Sequence, residues 1–79
     1  MIRLMQHVVT AMHRRGLLLD WIEAAILAPD WTAPDPDPVL TRSYKASAAH
    51  GGRVLRVVHR LDGDDILVMT AHFDRSAHP

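Results

Sequence analysis

Arginine and histidine side chains recur at even spacing in two stretches of the sequence, a pattern that could act on a phosphodiester. Thr70 and His72 lie two residues apart. Arg56 and Arg60, in an earlier stretch, lie four residues apart, which is also an even spacing. Residues at even spacing on a β-strand share one face of its sheet. Histidine moves protons near neutral pH, and the arginine fork suits phosphate oxygens. The pattern predicts a basic sheet face that could bind RNA and transfer a proton.

The charges of the chain are balanced overall but separated along it. The 79 residues include 9 basic and 9 acidic side chains, and the formal net charge is +0. Residues 1–18 and 39–61 contain bases and no acids, whereas residues 19–38 contain acids and no bases. Eight of the nine bases are arginine. Two interpretations stay open: the blocks neutralise each other across the fold, or the basic sheet meets an anionic partner.

Composition excludes several classes of protein. The length allows one domain, and the chain has no cysteine, which excludes disulfides, cysteine-bound zinc and thiol catalysis. No apolar run approaches the roughly 18 residues that a membrane helix needs, and no leader segment is recognisable. We therefore expect a cytoplasmic domain without a membrane partner.

Helical periodicity at the N-terminus predicts the elements on which the sheet must pack. Residues 3–15 place apolar side chains at helical spacing, and Gly16 after them is a typical end signal. A second helix is predicted to begin at Asp20, because Glu23 stands three residues later as in a capping box. Pro29 ends it. Residues 1–28 thus form the predicted helical part.

The remainder of the chain predicts a connector and a sheet. Residues 29–38 contain four prolines and three aspartates, which favours an extended acidic connector anchored by Trp31. Residues 39–75 predict an antiparallel sheet of three to four strands, and residues 76–79 a tail. The predicted fold class is therefore α+β, with two N-terminal helices packed on that sheet.

The turn at Asp62–Gly63 decides which side chains of the last hairpin meet the helices. A two-residue turn would bury Arg56 on the helix face. We therefore predict a turn of three or five residues, which pairs odd-numbered positions of one strand with odd-numbered positions of the other. The side chains expected against the helices are Leu55, Val57, Leu67, Met69 and Ala71. Those expected on the open face with the arginines are Val54, Val58, Ile66, Val68, Thr70 and His72.

Other reaction types lack their motifs. His7 and His13 point to different faces of the predicted helix, so they cannot share a metal ion as an i, i+4 pair would. The serines stand in no nucleophile elbow, and Gly51–Gly52 is a turn rather than a phosphate loop. We expect neither a metal nor another cofactor.

Three stretches also resemble a known family. Residues 7–17 are similar to the opening helix, and residues 52–58 and 68–75 to the final hairpin, of the bacterial family of unknown function DUF forty-two fifty-eight. That family looks like a relative of the RelE and BrnT ribonuclease toxins, although Ala11 stands where its helix usually has arginine. The resemblance implies a RelE/BrnT-like fold, metal-independent RNA cleavage and a neutralising antitoxin. The positions that match are His7, Arg15, Arg53, His72 and Arg75.

These observations lead to one main hypothesis and one alternative. The main hypothesis is a toxin-like RNA-binding domain, which as an enzyme would be a metal-independent endoribonuclease. His72 would be the general acid or base, with Arg56 and Arg75 on the reacting phosphate. The residues expected to contact RNA elsewhere are Arg53, Lys45, Tyr44 and His7. The partners would be RNA or the ribosome and a cognate antitoxin or acidic protein.

The alternative is a non-catalytic protein-interaction module or homodimer. It would use the mixed arginine and aliphatic sheet face, because aliphatic side chains contribute little to RNA contacts.

Overall fold

A five-stranded mixed sheet carries both helices in the computed structural model, which describes residues 1–79. The helices are α1 (Gln6–Arg15) and α2 (Leu19–Leu27). The strands are β1 (Ile2–Leu4), β2 (Trp31–Pro34), β3 (Thr41–Ser47), β4 (Arg53–Asp62) and β5 (Asp65–Phe73), with a 3₁₀ turn at Ala48–His50. The α+β class is confirmed. Neither helix is long and apolar enough to cross a membrane.

The sheet has two short edge strands that the sequence did not indicate. Its order is β1-β5-β4-β3-β2, and β1 runs parallel to β5 while the other neighbours are antiparallel. The antiparallel strands predicted within residues 39–75 are present as β3, β4 and β5, but the sheet has five strands rather than three to four, and β1 is parallel. β1 lies where we expected the start of the first helix, because residues 2–4 satisfy their backbone groups by pairing with residues 66–68 of β5.

The second edge strand lies inside the predicted connector. β2 pairs with β3 from Trp31 to Pro34, so residues 29–38 are not extended connector throughout. Proline has no N–H to donate to a ladder and is tolerated only at a sheet edge, which is where Pro34 ends the strand.

The ends of the two helices differ in how well they were predicted. Gly16 closes α1 in the left-handed conformation, with φ of 67°, as its position indicated. α2 begins earlier than expected, with Leu18 at its N-cap and no side-chain cap. The predicted capping box at Asp20 was wrong. Asp20 instead lies in the first turn, where a carboxylate complements the helix dipole.

A β-bulge reconciles the last hairpin with the hydrophobic pattern. The turn has two residues, Gly63 and Asp64, between the paired Asp62 and Asp65, so the expected odd turn was wrong. The register then shifts by one residue, because Val58 pairs with Thr70 whereas His59 pairs with Val68. Met69 is the extra residue.

The bulge splits the predicted faces of β5 in two. Beyond it, Val57 pairs with Ala71 and both are buried under the helices, as expected. Before it, in residues 65–68, the even-numbered side chains face the helices instead of the odd-numbered ones. Val68 is fully buried in the core and Ile66 shares its face, so the expected placement of Leu67 and Met69 against the helices was wrong.

The core lies between the helices and one face of the sheet. It consists of Val8, Leu17, Ile22, Ala25, Leu55, Val57, Val68 and Ala71. Burial of each larger side chain contributes roughly 1.5–3 kcal/mol, which holds two helices too short to be stable alone. Ser43 is also buried on this face, and its hydroxyl lies 2.7 Å from Nε2 of His59.

Candidate nucleic-acid interface

Helix α1 is attached to the free edge of β5 by two side chains. β1 covers only residues 66–68 of β5, so carbonyls farther along that edge need other donors. His7 donates from Nε2 to the Met69 carbonyl at 2.6 Å, and Arg15 donates from Nη1 to the Ala71 carbonyl at 3.1 Å. These bonds place the arginine-rich last turn of α1 beside the C-terminal end of β5.

Arg56 and His72 are cross-strand neighbours on the open face of the sheet. Nη2 of Arg56 and Nε2 of His72 are 3.0 Å apart. A guanidinium only donates, so Nε2 of His72 is the acceptor and carries no proton. Burial, and then the charge of Arg56, hold the pKa of His72 below its usual value of 6.5. His72 is therefore neutral at pH 7 and can accept a proton.

Asp74 is the carboxylate that faces this pair. Its Oδ2 lies 3.3 Å from Nη1 of Arg56, and both side chains are largely covered. The hydroxyl and backbone N–H of Ser76 donate to Asp74, and these bonds keep its pKa below the usual value. Nε of Arg56 is buried and has no hydrogen-bond partner. Arg56 is thus held between a histidine and a carboxylate.

Further arginines gather around the Arg56–His72 pair. A shallow pocket of about 360 Å³ contains Arg14, Arg15, His7 and Thr70 together with the pair, and a second contains Arg15, Arg53 and His72. We call six of these side chains the cationic cluster: His7, Arg14, Arg15, Arg53, Arg56 and His72. Arg14, Arg15 and Arg53 form no ion pair with a carboxylate. The cluster therefore presents uncompensated positive charge.

Two of the predicted contacts lie at the margin of the cluster. Arg53 places its guanidinium over the Phe73 ring, 4.3 Å from the ring centroid. Arg75 is exposed and lines an adjoining pocket with Arg53 and Asp74. Arg53 and Arg75 thus line one pocket beside the Arg56–His72 pair.

Lys45 and Tyr44 do not extend the open face of the sheet as the sequence predicted. Lys45 pairs with Leu55 and so lies on the helix face, where Nζ donates to the Ala28 carbonyl at 2.7 Å. Tyr44 is on the open face but is 7% exposed, because the Trp31 ring stacks parallel to it at 4.9 Å. Its accessible ring face is thus occupied. Trp31 anchors β2 to this tyrosine rather than to the core.

The acidic connector neutralises a different part of the sheet. Asp35 pairs with Arg42 at 2.8 Å, and Asp30 lies 4.0 Å from Lys45. A hydrogen bond from the Asp37 backbone, and then the one from Arg42, lower the pKa of Asp35. The connector therefore forms its ion pairs with β3, and Arg56 is the one member of the cationic cluster whose charge acts on Asp35.

The aliphatic part of the open face is smaller than expected. Ile66 and Val68 lie on the helix face, and Val58, although on the open face, is 6% exposed. Arg60 lies on the open face beyond the bulge, where it donates to the Leu61 carbonyl.

Arg14 is a member of the cluster that the sequence interpretation left out. Arginines in the last turn of a helix are sufficiently explained by the helix dipole, so Arg14 gave no signal of its own. No three His, Asp or Glu side chains are grouped so that they could hold a metal ion.

Comparison with protein-family models finds none that matches the chain, and comparison with curated proteins and with solved structures finds no match either.

Proposed function

We propose that this domain binds single-stranded RNA through the cationic cluster and cleaves it without a metal ion, as a toxin-like endoribonuclease of RelE/BrnT type. One observation carries the proposal. Three arginines without carboxylate partners, Arg14, Arg15 and Arg53, converge on a neutral histidine that an arginine holds in place. The helix packed against an antiparallel hairpin is compatible with that architecture.

Phosphate binding follows from the kind of charge in the cluster. Arginine forks donate two hydrogen bonds to phosphate oxygens, and binding to the RNA backbone releases counterions. Arg56 already directs its guanidinium toward His72, so a phosphate that binds it lies beside the imidazole. The cluster thus supports a bound phosphate next to a proton acceptor.

The reaction requires only groups of this chain and the RNA. Phosphate oxygens compete for the Nη2 donor of Arg56 and free Nε2 of His72. Nε2 then takes the proton of the ribose 2′-hydroxyl, whose oxygen forms a bond to phosphorus. The bond from phosphorus to the 5′-oxygen breaks, and that oxygen takes a proton from solvent in the open pocket. The arginines stabilise the charge that develops on the phosphate oxygens.

Cleavage of a short RNA in the presence of EDTA tests this proposal. We expect products that end in a 2′,3′-cyclic phosphate and a 5′-hydroxyl, and no cleavage where the 2′-hydroxyl is replaced by hydrogen. His72→Gln should reduce the rate about 100-fold or more, because a general base contributes at least that factor. His13→Gln is the matched control, since His13 is an exposed histidine of α1 and lines neither pocket of the cationic cluster.

The pH profile gives a second readout of the same role. A general base must be neutral, and the pKa of His72 is below 6.5. The rate should therefore fall as the pH is lowered, and it should reach half of its plateau value at a pH below 6.5. Equal rates for the wild type and His72→Gln would contradict the assignment. Unchanged growth on expression, with no RNA cleavage in those cells, would contradict the toxin-like activity.

A second candidate function is contact with another protein or a second copy. Val39 and Leu61 are 65% and 76% exposed and line an open groove with Ile66 at the end of the sheet away from α1. Such an apolar contact responds little to salt, unlike phosphate binding. Salt dependence therefore separates the two candidates.

A further inference from the structure

An apolar cavity opens on the helix face of the sheet, next to the cationic cluster. It has a volume of about 100 Å³ and contains Trp21 and Ala24 of α2, Leu55 of β4 and Phe73 of β5. Lys45, Ala46 and Ser47 of β3 complete its wall, and Lys45 and Ser47 are its polar side chains. Neither the phosphate contacts nor the proton transfer proposed above use this cavity.

Phe73 joins the cavity to the cationic cluster. The same ring lines the neighbouring pocket with Arg15, Arg53 and His72. The guanidinium of Arg53 covers the ring at 4.3 Å from its centroid. A ligand in the cavity would therefore lie beside groups that bind phosphate.

His50 braces the aromatic wall. Its ring meets that of Trp21 edge-on at 4.3 Å and lies 5.0 Å from that of Phe73. Nδ1 of His50 is 2.9 Å from the hydroxyl of Ser47. Because the imidazole contacts both rings and is itself hydrogen-bonded, the wall is formed before any ligand binds.

We propose that this cavity binds a pyrimidine base of the RNA whose phosphate the cationic cluster holds. The proposal rests on the proposed RNA-binding function, and it specifies which class of base the RNA carries at this site. Apolar and aromatic walls with a few polar groups are typical of small-ligand sites, and RNA-binding proteins stack bases on aromatic side chains.

Size and polarity favour a single ring. A dry protein cavity of about 150 Å³ accommodates benzene, so this smaller, open cavity suits one six-membered ring better than a fused purine. Lys45 uses one donor for the Ala28 carbonyl and lies 4.0 Å from Asp30, so a further ammonium proton can bond a pyrimidine carbonyl. Continuity with the positive charge of the cluster favours a nucleotide over an apolar peptide side chain.

The test measures the fluorescence of Trp21, which lines the cavity and is quenched when a base stacks against it. In a Trp31→Phe background, which keeps an aromatic ring on Tyr44, Trp21 is the only tryptophan. Three hexanucleotides with 2′-O-methyl groups, which block cleavage, serve as probes: oligouridine, oligoadenosine and an abasic chain. We expect oligouridine to quench Trp21 and to bind about 10-fold more tightly than the abasic chain, the scale of one stacked base.

A cavity-filling variant separates base binding from phosphate binding. Ala24→Leu should remove the advantage of oligouridine and leave the affinity of the abasic chain unchanged. Ala49→Leu is the control, because Ala49 is exposed and lines none of these pockets. Circular dichroism should show both variants folded. If Ala24→Leu unfolds, Ala24→Val replaces it.

The possible failures are distinguishable. Equal affinity for oligouridine and the abasic chain, with salt-dependent binding of both, would overturn the base site and leave the proposed function intact. Equal affinity for oligouridine and oligoadenosine would overturn the selection of pyrimidines. Quenching of Trp21 by N-acetyl-phenylalaninamide but by no oligonucleotide would overturn the inference and assign the cavity to a protein partner. No binding of any oligonucleotide would overturn the proposed function itself.

Discussion

Arg56 is the residue on which the candidate site depends most. One Nη donates to His72, the other faces Asp74 at 3.3 Å, and its buried Nε has no partner. A phosphate must therefore draw Arg56 from existing contacts, and the carboxylate of Asp74 repels that phosphate. Asp74 therefore fixes the position of Arg56 in the free protein but weakens the binding of an anion to it.

Asp74→Asn should strengthen RNA binding. The amide oxygen still accepts the bonds from Ser76, but the negative charge beside Arg56 is lost. We expect about 2- to 5-fold higher affinity for a short RNA at low salt, because a carboxylate no longer competes with the RNA phosphate for Arg56. Fluorescence anisotropy would measure it, with Asp64→Asn in the exposed turn as control. Unchanged or weaker binding would show that Asp74 does not oppose phosphate.

The contacts of single residues could be predicted only where strand parity was sufficient. Arg56 and His72 were correctly predicted to share one face, because the expected odd turn and the observed two-residue turn with a bulge pair the two strands there with the same parity. Parity could not place Lys45 or Tyr44, because their faces depend on how β3 aligns with β4. That alignment is set by long-range packing and not by the local sequence.

At the scale of elements, the bulge at Met69 decides what the open face contains. With a two-residue turn and no bulge, Ala71 and Phe73 would leave the helix face, and Thr70 and His72 would replace them. The extra residue restores the parity that the hydrophobic pattern requires. The local sequence does not show a bulge farther along the strand, so the pairing at Arg56 was predicted correctly although the turn length was wrong.

Deletion of Met69 should destabilise the protein. Without the extra residue the strand must either break its ladder or rotate buried side chains out of the core. We expect a loss of at least about 2 kcal/mol in the free energy of unfolding, the contribution of one large buried side chain. Urea denaturation measures it, and Met69→Ala, which keeps the residue count, is the matched control. Equal losses in both variants would mean that the side chain of Met69 matters and its place in the register does not.

At the scale of the molecule, a net charge of +0 conceals an uneven distribution of charge. Positive side chains are paired with carboxylates at one edge of the sheet and unpaired along part of the other. The acidic connector pairs with Arg42 and Lys45 at the β2 edge, and Arg3 pairs with Asp62 and Asp65 near the hairpin turn. Positive charge remains uncompensated where α1 meets β5. The block pattern of charges predicted a basic sheet region. It could not predict that α1 would add its arginines, since this depends on the short β1 leaving the edge of β5 free.

The salt dependence of RNA binding tests the central claim most directly. For a single-stranded RNA bound by the four arginines of the cluster, the logarithm of affinity should fall with the logarithm of salt concentration at a slope of about −3. Arg14→Gln combined with Arg53→Gln should reduce the magnitude of that slope by about 1.4, whereas Arg60→Gln, outside the cluster, should leave it unchanged. A slope near zero, or an equal effect of Arg60→Gln, would contradict binding of RNA by the cationic cluster.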